Sequence, residues 1–183
     1  LGFQIIVATT KELLDYLSKF FADISGSLPR VGVRPTENLF PDETIPKLGT
    51  VPVRPIIDFF HGAPPSWNDI FAGRLHRTRY FNEIRESINS SMHTIVLGLP
   101  ASGKTTLMMQ VAQDLTTSAH KLVCNSLTPE KASLISKTLK GESAVVFVDN
   151  FTDSIDGFSN LLPNKNVKLV GFDRIYNYEF VSH

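Results

Sequence analysis

Eight consecutive residues, Gly98-Leu99-Pro100-Ala101-Ser102-Gly103-Lys104-Thr105, narrow the possible folds more than anything else in this chain. They satisfy the pattern GxxxxGK[ST] at every fixed position. His93-Thr94-Ile95-Val96-Leu97 reads as a buried strand entering the loop, and Thr106 to Gln113 as an amphipathic helix leaving it. A strand that passes through a glycine-rich turn into a helix leaves the helix's first amides without backbone partners. Those amides converge on one spot and make it suitable for a phosphate-like anion.

The sequence after this unit keeps alternating. Lys121 to Asn125 predicts a second strand, and Thr128 caps a helix to about Leu139, with Pro129 at its first position and Leu134, Ile135 and Leu139 facing inward. Ala144-Val145-Val146-Phe147-Val148-Asp149 is apolar without interruption until its last residue, as expected of a strand covered on both faces. A short helix over about Ser154–Leu161 and a fourth strand over Val167–Phe172 complete the run. The expected fold is α/β: a three-layer sandwich around a mostly parallel sheet, with residues 93–183 as a partial P-loop NTPase core.

Upstream the pattern changes. Residues 1–25 hold a β-rich run at 3–8 and a helix capped by Thr10 with Leu13, Leu14, Leu17, Phe20 and Phe21 on one face; they read as the end of a preceding α/β unit. In residues 26–58, Pro29, Pro35, Pro41, Pro46, Pro52 and Pro55 recur every few positions, which denies the segment a regular helix and marks a connector, ordered or not. Residues 59–92 form an aromatic-rich collar, with Ser66 or Asn68 capping a short helix and Tyr80, Ile84 and Ile88 sharing a face of a longer one at about 78–90. Two readings of the collar are open: packing against the core, or lining the pocket for a nucleobase. The chain begins without Met or a basic leader and ends at Phe180-Val181-Ser182-His183 after strand-like sequence with no closing helix, so a piece of a longer protein is expected.

Charge is balanced, 18 Lys+Arg against 18 Asp+Glu, so nothing global draws the chain to nucleic acid or an anionic membrane. No run approaches the ~18 apolar residues of a membrane span. The single cysteine, Cys124, sits in an apolar run and excludes a disulfide framework; a reducing, cytoplasmic setting is expected. The histidines show no metal-ligand spacing with one another or with Cys124.

Chemistry concentrates at the strand ends. In the loop, Gly98, Pro100, Ala101, Ser102 and Gly103 shape the cradle, Lys104 is the candidate partner of β- and γ-phosphoryl oxygens, and Thr105 the candidate Mg²⁺ ligand. Thr106 either touches an α-phosphate or packs and caps. Asp149, closing the apolar third strand, is the candidate acidic partner of the metal. Asn150 follows it where a second acid would activate water; an amide positions water but is a poor proton acceptor. Asp153 is the nearest alternative base, or else a helix cap. Arg174, after Asp173, either senses a γ-phosphate or forms a salt bridge with Asp173 or Asp149. Slow hydrolysis and a switch-like role follow from the missing base.

These residues carry a family resemblance. The block from Phe59 to His183 resembles the nucleotide-binding domain of STAND NTPases, signal-transducing ATPases related to the AAA+ and apoptotic-ATPase groups. The likeness rests on Phe59-Phe60-His61-Gly62, Pro65-Ser66-Trp67, Gly98 to Thr106, Val145 to Asn150 and Phe172-Asp173-Arg174. The approach sequence points to bacterial defence members, and the first 25 residues resemble the end of a SIR2-like domain. The resemblance implies ATP and Mg²⁺ as ligands, homo-oligomerisation on activation, a phage protein recognised by C-terminal repeats, and an N-terminal effector that degrades NAD. It also implies a helical and winged-helix lid after the core. The other class of function on this fold is a P-loop kinase or a nucleic-acid motor; the first needs an arginine-bearing lid and the second a basic groove.

Overall fold

The computed structural model describes residues 3–8, 43–46, 49–90, 93–117 and 119–182. Among them, strands β1 (Phe3–Ala8), β2 (His93–Gly98), β3 (His120–Cys124), β4 (Ala144–Asp149) and β5 (Val167–Arg174) form one sheet in the order β1-β2-β5-β4-β3. β2, β5, β4 and β3 are parallel. The expectation set residues 1–25 in a preceding unit, yet β1 runs antiparallel along β2, from Phe3 opposite Gly98 to Ala8 opposite His93. The helix expected from Thr10 lies outside the described residues.

The helices are α1 (Ile56–Phe60), α2 (Trp67–Phe71), α3 (Tyr80–Ser90), α4 (Lys104–Asp114), α5 (Pro129–Leu139), α6 (Ile155–Leu161) and α7 (Ile175–Ser182). Side-chain alternation along the strands divides them into two layers. Val96, Val145, Phe147, Val170 and Phe172 pack with Phe81, Ile84 and Ile88 of α3 and Leu107, Met108 and Val111 of α4. Ile95, Leu97, Val146, Val148 and Leu169 point the other way, onto Ile135 of α5 and Phe158 and Leu161 of α6. β2 and β4 are buried at every residue. This is the three-layer α/β sandwich that the sequence pattern implies.

Four expectations change. The segment after β5 is helix α7, so Phe180, Val181 and Ser182 belong to a helix that follows the strand directly. The fourth parallel strand does not stop at Phe172; it runs on through Asp173 and Arg174. The helix expected over Ser154–Leu161 is preceded by a turn of 3₁₀ helix, Phe151–Ser154, that begins right after β4. The proline-rich connector also carries structure: α1 starts at Ile56, directly after Pro55, where proline's fixed φ suits the entry to a helix. Farther upstream, Thr44 bridges Leu122 on the outer edge of β3, the Val123 amide donates to the Glu43 carbonyl at 2.7 Å, and Glu43 pairs with Lys131 of α5 at 2.6 Å. Polar backbone on that edge is thereby partly covered.

The collar docks by packing. Ile70, Leu75 and Met109 form a small cluster joined by Ile56, Phe59 and Trp67. Gln110, buried in α4, donates from Nε2 to the Leu75 carbonyl at 3.2 Å, while Arg77 and Arg85 reach Asp114 at the end of the same helix at 2.9 and 3.1 Å. Ser66 caps α2 in a reciprocal box with Asp69. Asp69 is 1 % exposed, and burial alone would raise its pKa; Arg54 and Ser66 hydrogen bonds outweigh that and hold it below the usual carboxylate value. No helix of the described residues is long and apolar enough to cross a membrane.

Cys124 is fully buried and its thiol is pushed up to about 12 by burial, which makes it a packing residue. His93, at the start of β2, is also buried and accepts from the Leu169 amide at Nδ1, 3.1 Å. Burial, reinforced by nearby Lys168, pushes its pKa down to about 4 from 6.5. The folded state therefore binds fewer protons than the unfolded state between those values. Stability is full above pH 6.5 and falls by about 3 kcal/mol as pH drops toward 4. Urea unfolding across this window should show that slope in the natural chain and a flatter one in His93→Gln; equal slopes would contradict the buried neutral imidazole.

Candidate functional site

The carboxyl ends of β2, β5 and β4 come together because β5 lies between the other two. Register sets Gly98 opposite Arg174, Leu97 opposite Asp173, and Asp149 opposite Phe172. The chain leaves β2 through the Gly98–Gly103 loop, whose turn needs two left-handed residues, Ala101 at φ 56° and Gly103 at φ 84°. Gly103 is the N-cap of α4 and carries no side chain to satisfy the helix amides. The amides of Ala101, Gly103, Lys104, Thr105 and Thr106 have no acceptor among the described residues. The Ser102 hydroxyl oxygen is likewise buried without a partner. A concave backbone with several free donors at a helix start fits an anion.

Lys104 is 8 % exposed, and its ammonium folds back to donate to the Leu99 carbonyl at 2.8 Å and the Gly98 carbonyl at 3.2 Å. Burial lowers its pKa, and the nearby Asp149 and Asp173 charges oppose the shift without cancelling it. A desolvated cation held only by carbonyl oxygens gains from an anionic partner. Thr105, in the first turn of α4, donates from Oγ1 to Asp149 Oδ2 at 2.6 Å. The other carboxylate oxygen accepts the Asn150 amide at 3.2 Å. Two hard oxygen donors, one neutral and one acidic, thus share a point beside the Lys104 loop, a donor set suited to a divalent cation.

The remaining sequence-predicted residues fall in different places. Pro100 and Ala101 are exposed on the loop, and Thr106 is half-buried in the first turn of α4. Asn150 adopts φ 47° at the start of the 3₁₀ turn, a conformation asparagine tolerates better than most residues. Its identity thus has a backbone reason besides any chemical one. Asp153 is exposed; with Asp156 and the Ser126–Pro129 loop it borders a shallow cleft of about 160 Å³ that no residue of Gly98–Thr106 lines. It caps no helix through its side chain, and α6 has no side-chain cap.

Arg174 ends β5 in register with Gly98, is exposed, and forms no salt bridge among the described residues. The alternative of a salt bridge is made with neither Asp173 nor Asp149; Asp173 is fully buried and turned to other donors. The Arg174 charge bears on Lys104, whose pKa it helps to lower. Sequence reasoning missed the groups that hold Asp173: Thr152 and Asn177. No local pattern announces them, since Thr152 is 21 residues away in the chain.

A sequence model of the family described as Novel STAND NTPase 5 matches residues 57–172, which span the whole collar and the parallel strands from β2 to Phe172 in β5. The chain belongs to this family. It is a STAND NTPase domain, and the family carries with it nucleotide binding of a switch type. No curated protein and no solved structure matches the chain.

The backbone role of Asn150 can be separated from a chemical one. Asn150→Gly should keep its melting temperature within a few degrees, whereas Asn150→Val should lose about 1–2 kcal/mol from left-handed strain. Thermal unfolding of both variants tests this; equal tolerance of Gly and Val would contradict the turn.

Proposed function

We propose that the Gly98–Thr106 loop and Asp149 bind Mg·ATP, and that the bound state acts as a slowly hydrolysing switch. The observation that carries this reading is the 2.6 Å bond from Thr105 to Asp149, which joins the loop to the acidic end of β4 across the width of β5. Free amides at Gly103 to Thr106 and the unpaired Ser102 hydroxyl are the groups to receive phosphoryl oxygens. Lys104 would exchange the Gly98 and Leu99 carbonyls for β- and γ-phosphoryl oxygens, and Thr106 is the candidate contact for the α-phosphate. Thr105 and Asp149 would hold Mg²⁺, whose charge offsets that of the transferred phosphoryl group.

Asn150 orients water rather than deprotonating it, which keeps turnover slow. Arg174 lies at the strand end nearest Gly98 and is the candidate sensor of the γ-phosphate. Asp153, beside a separate cleft, is the weaker candidate for the base. The collar, docked on α4 through Gln110 and Met109, is the candidate border of the nucleobase. In the whole protein, ATP binding would favour homo-oligomerisation and activate a preceding effector, a SIR2-like NAD-degrading domain, in a cytoplasmic antiviral response triggered by a phage protein. The kinase alternative is less well supported: the Phe151–Leu161 segment that would form an acceptor lid is packed into the core through Phe151, Ile155, Phe158 and Leu161.

Titration calorimetry with ATP, with and without Mg²⁺, tests the phosphate assignment. Lys104→Ala should weaken binding at least about tenfold, or 1.4 kcal/mol. Asp149→Ala should lose the Mg²⁺ dependence more than the nucleotide affinity. Unchanged affinity in Lys104→Ala would overturn the assignment.

A further inference from the structure

Asp173 is a carboxylate with 0 % exposure and, among the described residues, no cation in hydrogen-bond contact. Each of its oxygens receives two donors. Oδ2 accepts the Thr152 amide at 2.9 Å and the Thr152 hydroxyl at 2.6 Å. Oδ1 accepts the Arg174 amide at 2.6 Å and the Asn177 side-chain amide at 3.0 Å. Four donors on one buried carboxylate compensate its desolvation without an ion pair.

The donors come from three segments, and the Phe151 and Tyr178 rings, 6.5 Å apart, make a second contact between the first of them and the last. Thr152 lies in the 3₁₀ turn that begins at Asn150, one residue beyond Asp149. Arg174 is the last residue of β5, and Asn177 lies in the first turn of α7. Strand alternation turns Asp173 to the face opposite Phe172, the same face as Gly171. There the Phe151 ring lies so close to the strand that a Cβ on Gly171 would stand 2.8 Å from it. The turn after Asp149 is thus pressed onto β5 by Phe151 and pinned to it by Asp173.

We propose that Asp173 is a positioning residue that couples the turn after Asp149 to Arg174 and to the start of α7. A shift of Asn150 on nucleotide binding or hydrolysis would then reach α7, the element that follows β5, through this carboxylate as well as through the Phe151–Tyr178 ring contact. The nucleotide part of this inference rests on the phosphate-site reading above; the clamp itself does not.

The test uses Thr152→Val, which removes the hydroxyl donor, Thr152→Ser, which keeps it, and Asp173→Asn, which turns an NH₂ toward two donors. Amide hydrogen exchange of the nucleotide-free protein is the first readout. Protection at residues 179–182, the first α7 amides with acceptors inside the helix, should fall about tenfold in Thr152→Val and stay near the natural level in Thr152→Ser. Loss confined to residues 150–154 would overturn the coupling. The second readout is the split between ATP affinity and turnover: Asp173→Asn and Thr152→Val should keep Kd within about threefold and lower kcat about tenfold, with Thr152→Ser restoring it. Equal kcat in all four proteins would overturn the role at the site. Should the natural chain bind no ATP, the phosphate reading fails, while hydrogen exchange still decides the clamp.

Discussion

A hydroxyl-to-carboxylate bond of 2.6 Å, from Thr105 at the start of α4 to Asp149 at the end of β4, organises the candidate site. It spans β5, which lies between β2 and β4 and pairs in register with both, keeping their carboxyl ends level. The sheet in turn is held by two apolar layers, and each of the four parallel strands contributes alternate residues to both. Geometry at the site is therefore a consequence of the core. The loop is unsatisfied at its amides, the lysine is desolvated, and the acid is poised between a threonine and a backbone amide.

Much of this was legible in the chain. Strand, glycine-rich loop and helix in sequence located β2 and α4, and the uninterrupted apolar run ending in Asp149 located β4. Both signals are local: a period, a cap, a turn residue. Contacts between distant segments left no such trace. Phe81 is a buried member of the α3 face that spacing from Tyr80 did not select, because Tyr80 itself is only half-buried at the helix start. The end of β5 was placed too early since Asp173 and Arg174 look like loop residues; a buried carboxylate inside a strand is possible only with donors that sequence cannot display. The closing residues read as strand because Tyr176, Tyr178, Phe180 and Val181 have strand preferences, which the helix overrides.

The collar illustrates the same limit. Its aromatic content argued for packing, and it does pack, but the bonds that fix it are between unlike elements: Gln110 to Leu75, Arg77 and Arg85 to Asp114, Arg54 to Asp69. α4 is thus gripped at both ends. At its start Thr105 holds Asp149, and at its finish Asp114 holds two collar arginines. On the other side of the sheet, Asp173 connects the same site to α7. In this STAND NTPase domain the candidate site is thus tied to the collar on one side and to α7 on the other.

Amide chemical shifts of the isotope-labelled protein during titration with Mg·ATP test the central claim most directly. The account predicts that perturbations concentrate at Ser102 to Thr106, with smaller ones at Asn150 and Arg174. Shifts confined to the Ser126–Pro129 and Asp153–Gly157 cleft, or none at the loop, would contradict it.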